Sequence, residues 1–122
     1  MNKEATGKVL VIADDGNWIP GVITGLEAAN FIVMRQKSNP DRLVYLGIFV
    51  PSLVILDETI SHSLDICYRY NTLHIPVILI CKDKQQQNWN TALIEAGAEF
   101  YSTQKTGSRE LVARVKAILR RY

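Results

Sequence analysis

Two short runs of uninterrupted apolar residues, each closed by aspartate, set the narrowest limits on how this chain can fold. Val9-Leu10-Val11-Ile12-Ala13 runs into Asp14 and Asp15, and Leu53-Val54-Ile55-Leu56 runs into Asp57. Neither run alternates apolar with polar residues, so neither is a strand with one wet face. Both are too short and too uniformly apolar for surface helices. They predict strands buried on both sides, as in a parallel sheet covered by helices. In an open sheet of that kind the ligand site lies just beyond the carboxyl ends of the strands. Three carboxylates gathered there would repel one another. A cation relieves that repulsion, and hard oxygen ligands suit Mg²⁺.

The rest of the chain alternates strand and helix patterns, with no repeat and no low-complexity stretch. A polar lead, Met1 to Gly7, is expected to fray. The first strand is Lys8 to Ala13. The next segment puts Ile19, Val22, Ile23 and Leu26 on one helical face, with Pro20 tolerated in the first turn. Phe31 to Met34 reads as a second strand. Ser38-Asn39-Pro40-Asp41 reads as a helix start, followed by Leu43, Val44, Leu46 and Ile48. Pro51 precedes the third strand. Ser61 to Thr72 reads as a third helix and Pro76 to Ile80 as a fourth strand. Gln86 to Ala96 is a fourth helix stopped by Gly97. Glu99 to Ser102 is a fifth strand. Ser108 caps a last helix with Leu111, Val112, Val115, Ile118 and Leu119 inward, and Arg109, Arg114, Lys116 and Arg120 outward.

Strict alternation of five strands with five helices predicts an α/β fold: a five-stranded parallel sheet with helices on both faces and right-handed crossovers. The flavodoxin-like strand order 2-1-3-4-5 suits this length. It makes the first and third strands neighbours, so Asp14, Asp15 and Asp57 converge at one switch point. The 122 residues, 48% apolar, suffice for one domain with one sizeable core. A net charge of +2 gives no argument for nucleic acid. No signal peptide and no bilayer-spanning run is read. Cys67 and Cys81 sit in apolar contexts without metal-ligand spacing, which fits free thiols in a reducing cytoplasm.

The ordered set of motifs resembles the receiver domain of bacterial two-component response regulators. The likeness runs from Lys8 to Arg121. It rests on the first strand with Asp14-Asp15, on Pro51 to Asp57, on Ile75 to Ile80, on Ala96-Gly97-Ala98-Glu99-Phe100-Tyr101, and on Glu110 to Arg121. The last piece is similar to the end of receivers that precede a winged-helix DNA-binding domain. The resemblance therefore implies one receiver-like domain over residues 1–122, as the N-terminal part of a longer regulator that would reach DNA only through its output domain. It implies that Asp57 is the phosphoacceptor and that Asp14 and Asp15 hold Mg²⁺ with Asp57 and the backbone carbonyl of Thr59. The cation neutralises the carboxylates and the incoming phosphoryl group, so that Asp57 can attack phosphorus. A sensor histidine kinase is the implied partner. The domain is expected to be cytoplasmic, without membrane contact, and to signal rather than act as an enzyme. A homodimer would form through the face made by the fourth helix, fifth strand and last helix.

Several residues depart from the family pattern. Receivers carry Ser or Thr at the end of the fourth strand, where this chain has Cys81, a weak donor. They carry Lys near the end of the fifth strand, three residues past the aromatic position filled by Tyr101; counting gives Gln104, with Lys105 one residue on. Lys82 replaces the usual small residue. The loop after Asp57 lacks the family's proline and is about two residues short against the helix start Ser63-Leu64-Asp65-Ile66-Cys67. These departures leave the charge-binding half of the site intact and erode the switching half, made by Cys81, Tyr101 and Gln104, where Tyr101 keeps the family's aromatic while Cys81 and Gln104 depart from it. A phosphorylation-independent receiver-like module acting only in protein interaction is the alternative. An aspartate-nucleophile phosphatase would need two aspartates separated by one intervening residue after the first strand, whereas Asp14 and Asp15 are adjacent. A flavodoxin would need a Ser/Thr/Gly-rich phosphate loop where this chain has carboxylates. Bland readings cover the rest: His62 and His74 as loop residues, Trp89 as packing or a partner contact, Cys81 as a structural thiol. Trp18, three residues past the acidic pair, is placed to report metal binding by fluorescence.

Overall fold

The computed structural model describes residues 6–14, 16–37, 50–57, 60, 62–81, 98–102 and 108–121. Five strands are β1 (Gly7–Ile12), β2 (Phe31–Gln36), β3 (Leu53–Asp57), β4 (Val77–Cys81) and β5 (Ala98–Ser102). The described helices are α1 (Ile19–Ala28), α2 (Ser63–Thr72) and α3 (Ser108–Arg121). The sheet runs in the order β2-β1-β3-β4-β5, and the four pairings between neighbouring strands are parallel. The expected helices over Asp41 to Ile48 and over Gln86 to Ala96 lie outside the described residues.

The uninterrupted apolar runs are buried on both sides, as their composition requires. On one face Val9, Val11, Leu53, Ile55, Ile78 and Ile80 pack with Ile19, Val22 and Leu26 of α1 and with Leu111, Val115 and Ile118 of α3. On the other, Leu10, Ile12, Val54, Leu56, Val77 and Leu79 pack with Ile66, Cys67 and Tyr70 of α2. Period-two alternation thus splits each central strand between two cores. Helices α1 and α3 lie close together: a Cβ on Gly25 would stand 3.1 Å from Val112 Cγ2. Tyr70 is fully buried, and its hydroxyl has no hydrogen-bonding partner among the described residues.

The observed boundaries correct several expectations. Gly7 does not fray; it opens β1 opposite Phe31, and Thr6 N–H donates to the Asn30 carbonyl at 2.8 Å. Strand β2 outlasts its apolar residues, because Arg35 and Gln36 pair with Val11 and Ile12 at the sheet edge, where polar side chains reach solvent. Helix α2 starts at Ser63 rather than Ser61. His62 has φ of 62°, a left-handed conformation that a helix interior excludes. Strand β4 begins at Val77, and the Pro76 carbonyl instead accepts from Val54 N–H at 3.0 Å. Helix α3 has the predicted inner face, with Leu119 only half-buried.

Candidate functional site

The sheet order makes β1 and β3 neighbours, with Ile12 opposite Leu56. Asp57 is the next residue along β3, and Asp14 lies two beyond Ile12, so both stand at the carboxyl ends of adjacent strands. This is the switch point of the fold, where strand order reverses about β1. Asp57 continues the side of β3 that carries Leu53 and Ile55, the side covered by α1 and α3. Its exposure is 2%, very low for a carboxylate. A turn follows at once, with Ile60 N–H donating to the Asp57 carbonyl at 3.1 Å.

Burial of this carboxylate is matched by a specific bond. The Trp18 indole N–H donates to Asp57 Oδ2 at 3.1 Å. Trp18 is the N-cap residue of α1 and is half-buried against the α1–α3 core. The β1 end is pinned from the other side. Ala13 N–H donates to the Gln36 carbonyl at 3.0 Å, and the Arg35 guanidinium donates to the Asp14 carbonyl at 2.6 Å. Arg35 thus brings a cation to the rim of the acidic strand ends. Its positional signal in the sequence is slight, a polar residue after an apolar run.

Of the other residues singled out from sequence, Asp15, Thr59, Gln104 and Trp89 lie outside the described residues. Cys81 is the last residue of β4, one beyond Ile80, which pairs with Asp57. Tyr101 pairs with Ile80 across β4 and β5, and Cys81 with Ser102. His62 Nδ1 stands 3.8 Å from Asp65 Oδ2, both strongly exposed. Cys67 is a free, fully buried thiol whose pKa burial pushes up to about 12. That protonated thiol is inert packing rather than a reactive centre. Among the described residues no three His, Cys, Asp or Glu side chains are grouped to hold a metal. Two of the four ligands implied by the resemblance are not among them. The described pair supplies hard carboxylate oxygens at adjacent strand ends, a donor chemistry that suits Mg²⁺. No described helix is long and apolar enough to cross a membrane.

No family model matches the chain. It is 30% identical over 122 residues to the phosphate regulon transcriptional regulatory protein PhoB of Pseudomonas aeruginosa, covering 94% of this chain and 53% of that protein. It is 36% identical over 120 residues to the alkaline phosphatase synthesis transcriptional regulatory protein SphR of Synechococcus elongatus, covering 92% and 43%. The fold matches an orphan response regulator of H. pylori with a TM-score of 0.81 at 21% identity, over 96% of this chain and 99% of that one. The chain is a response-regulator receiver domain. The receiver domain also matches, at a TM-score of 0.79 and 22% identity, an atypical orphan response regulator whose structure revealed a phosphorylation-independent regulatory mechanism; coverage is 94% and 97%. It spans about half the length of the curated relatives it matches. The indole bond to Asp57 was not legible in advance; the sequence placed Trp18 near the acidic pair but not on the third carboxylate.

Proposed function

We propose that this receiver domain accepts a phosphoryl group on Asp57 from a sensor histidine kinase, in the cytoplasm, and passes the signal to an output domain rather than turning over a substrate. The observation that carries the reading is the buried Asp57 carboxylate at the carboxyl end of β3, beside the acidic end of β1. An Asp57 oxygen lone pair forms the new bond to phosphorus. The bond from phosphorus to the donor breaks, and the donor leaves with those electrons. The product is an acyl phosphate. Asp14, Asp15, Asp57 and the Thr59 carbonyl would hold Mg²⁺, which supplies charge neutralisation at the phosphoryl oxygens. The Arg35 bond to the Asp14 carbonyl supports this reading by fixing the backbone at the end of β1.

Coupling of phosphate to shape is weak in this reading. Cys81 stands where a hydroxyl would donate to the phosphoryl group, and Gln104 where an ammonium would pair with it. Any dimer through a face that includes β5 and α3 then forms without phosphate. A second reading, a phosphorylation-independent interaction module, is favoured by the same two replacements together with the occupied state of Asp57 Oδ2. Intact mass after incubation with acetyl phosphate and Mg²⁺ separates the two. The first predicts one added phosphoryl group that Asp57→Asn abolishes. An unchanged mass, under conditions that label an ordinary receiver, supports the second.

A further inference from the structure

We propose that the Trp18 indole N–H is an internal ligand of Asp57, a gate that must leave Oδ2 before Mg²⁺ and a phosphoryl group can share that carboxylate. The proposal rests on the reading of Asp57 as the phosphoacceptor. The backbone under Trp18 is fixed: Ile19 N–H donates to the Gly16 carbonyl at 3.2 Å, and Val22 N–H to the Trp18 carbonyl at 3.1 Å. From that anchor the indole turns back over Gly16, where a Cβ would stand 2.7 Å from Nε1. A glycine at 16 is what allows this close approach. The ring then meets Asp57 from the α1 side at 3.1 Å.

The consequence is chemical. The nucleophile needs a lone pair on one carboxylate oxygen to form the bond to phosphorus, while the metal takes carboxylate oxygen as well. An N–H bound to Oδ2 draws electron density from the carboxylate, and the bulky ring beside it hinders approach. A side-chain rotation of Trp18 that takes the ring off Asp57 relieves both. The gate is thus a positioning device acting on Asp57, and the indole proton stays on nitrogen throughout. A hydrogen bond to a charged group is strong enough to change site occupancy by about 10- to 100-fold.

The test uses the full chain, ¹⁵N-labelled, as wild type, Asp57→Asn and Trp18→Phe. The indole N–H resonance of Trp18 is expected to move in Asp57→Asn. Backbone amide shifts of Ala13 and Leu56 during MgCl₂ titration are expected to report about tenfold tighter binding in Trp18→Phe. Labelling by acetyl phosphate, followed by intact mass, should accelerate to a similar degree. An indole resonance indifferent to Asp57→Asn overturns the proposal, as does equal Mg²⁺ affinity, or none, in wild type and Trp18→Phe. If Trp18→Phe misfolds, Gly16→Ala displaces the indole instead, and the same comparisons apply. Tighter Mg²⁺ binding with no phosphoryl gain in any protein supports the gate while contradicting the phosphoacceptor reading.

Discussion

Replacing Gly16 with alanine puts a methyl carbon 2.7 Å from Trp18 Nε1 and 2.9 Å from Cδ1. Ordinary van der Waals contact begins near 3.4 Å, so the indole must retreat by roughly 0.7 Å. The bond from Nε1 to Asp57 is already 3.1 Å long, near the upper end of good N–H···O geometry. A retreat of that size breaks it or leaves a remnant. Loss of a hydrogen bond to a charged group removes about 1.5–3 kcal/mol. Alanine opposes this by about 0.4–1 kcal/mol, because it narrows the unfolded ensemble. The net expectation is a destabilisation of about 1–2 kcal/mol. Urea denaturation reads it as a lower midpoint with an unchanged slope. The indole resonance should move in parallel. A midpoint at or above wild type with an unmoved indole resonance would refute the reasoning, since the ring would then not be held where it is described.

Tyr70→Phe removes a fully buried hydroxyl that lacks a partner among the described residues, and should stabilise the fold by about 1 kcal/mol in urea melts; a loss of stability would reveal a bond. Alkaline melts test the same core. Burial lifts Cys67 from 9.0 to about 12 and Tyr70 from 10.0 to about 12, the latter slightly opposed by the Arg69 charge. The unfolded chain releases both protons first, so the contribution to stability is complete below pH 9.0 and declines as pH rises towards about 12. A melting temperature flat across that window would contradict it. Cys81→Thr combined with Gln104→Lys should increase phosphate-dependent dimerisation in sedimentation; equal dependence in wild type and double mutant would show that these residues do not weaken the switch.

Much of the architecture was legible because its signals are local. Val9 to Ala13 and Leu53 to Leu56 lack any polar position, and only a sheet covered on both faces accommodates that. Strand adjacency then follows from topology rules, and with it the placing of Asp14 and Asp57 at the carboxyl ends of neighbouring strands. The ends of elements were less legible. His62 is an ordinary residue in sequence, yet its left-handed backbone moves the start of α2 by two residues relative to Ser61. Arg35 and Gln36 look like loop residues until the sheet edge is known. The indole bond was hidden for a different reason. It joins positions 39 residues apart, and its geometry depends on a glycine two residues before the tryptophan. The triplet spacing of Gly16, Trp18 and the acidic pair was the available clue.

The central claim is that Asp57 forms an acyl phosphate. Borohydride reduction of the phosphorylated chain converts such an aspartate to homoserine, and peptide mapping then locates it. After treatment with acetyl phosphate and Mg²⁺, the account predicts homoserine at position 57, in the peptide carrying Leu53-Val54-Ile55-Leu56, and nowhere else. Unaltered Asp57 in that peptide, or homoserine at Asp14 or Asp15 instead, would contradict it.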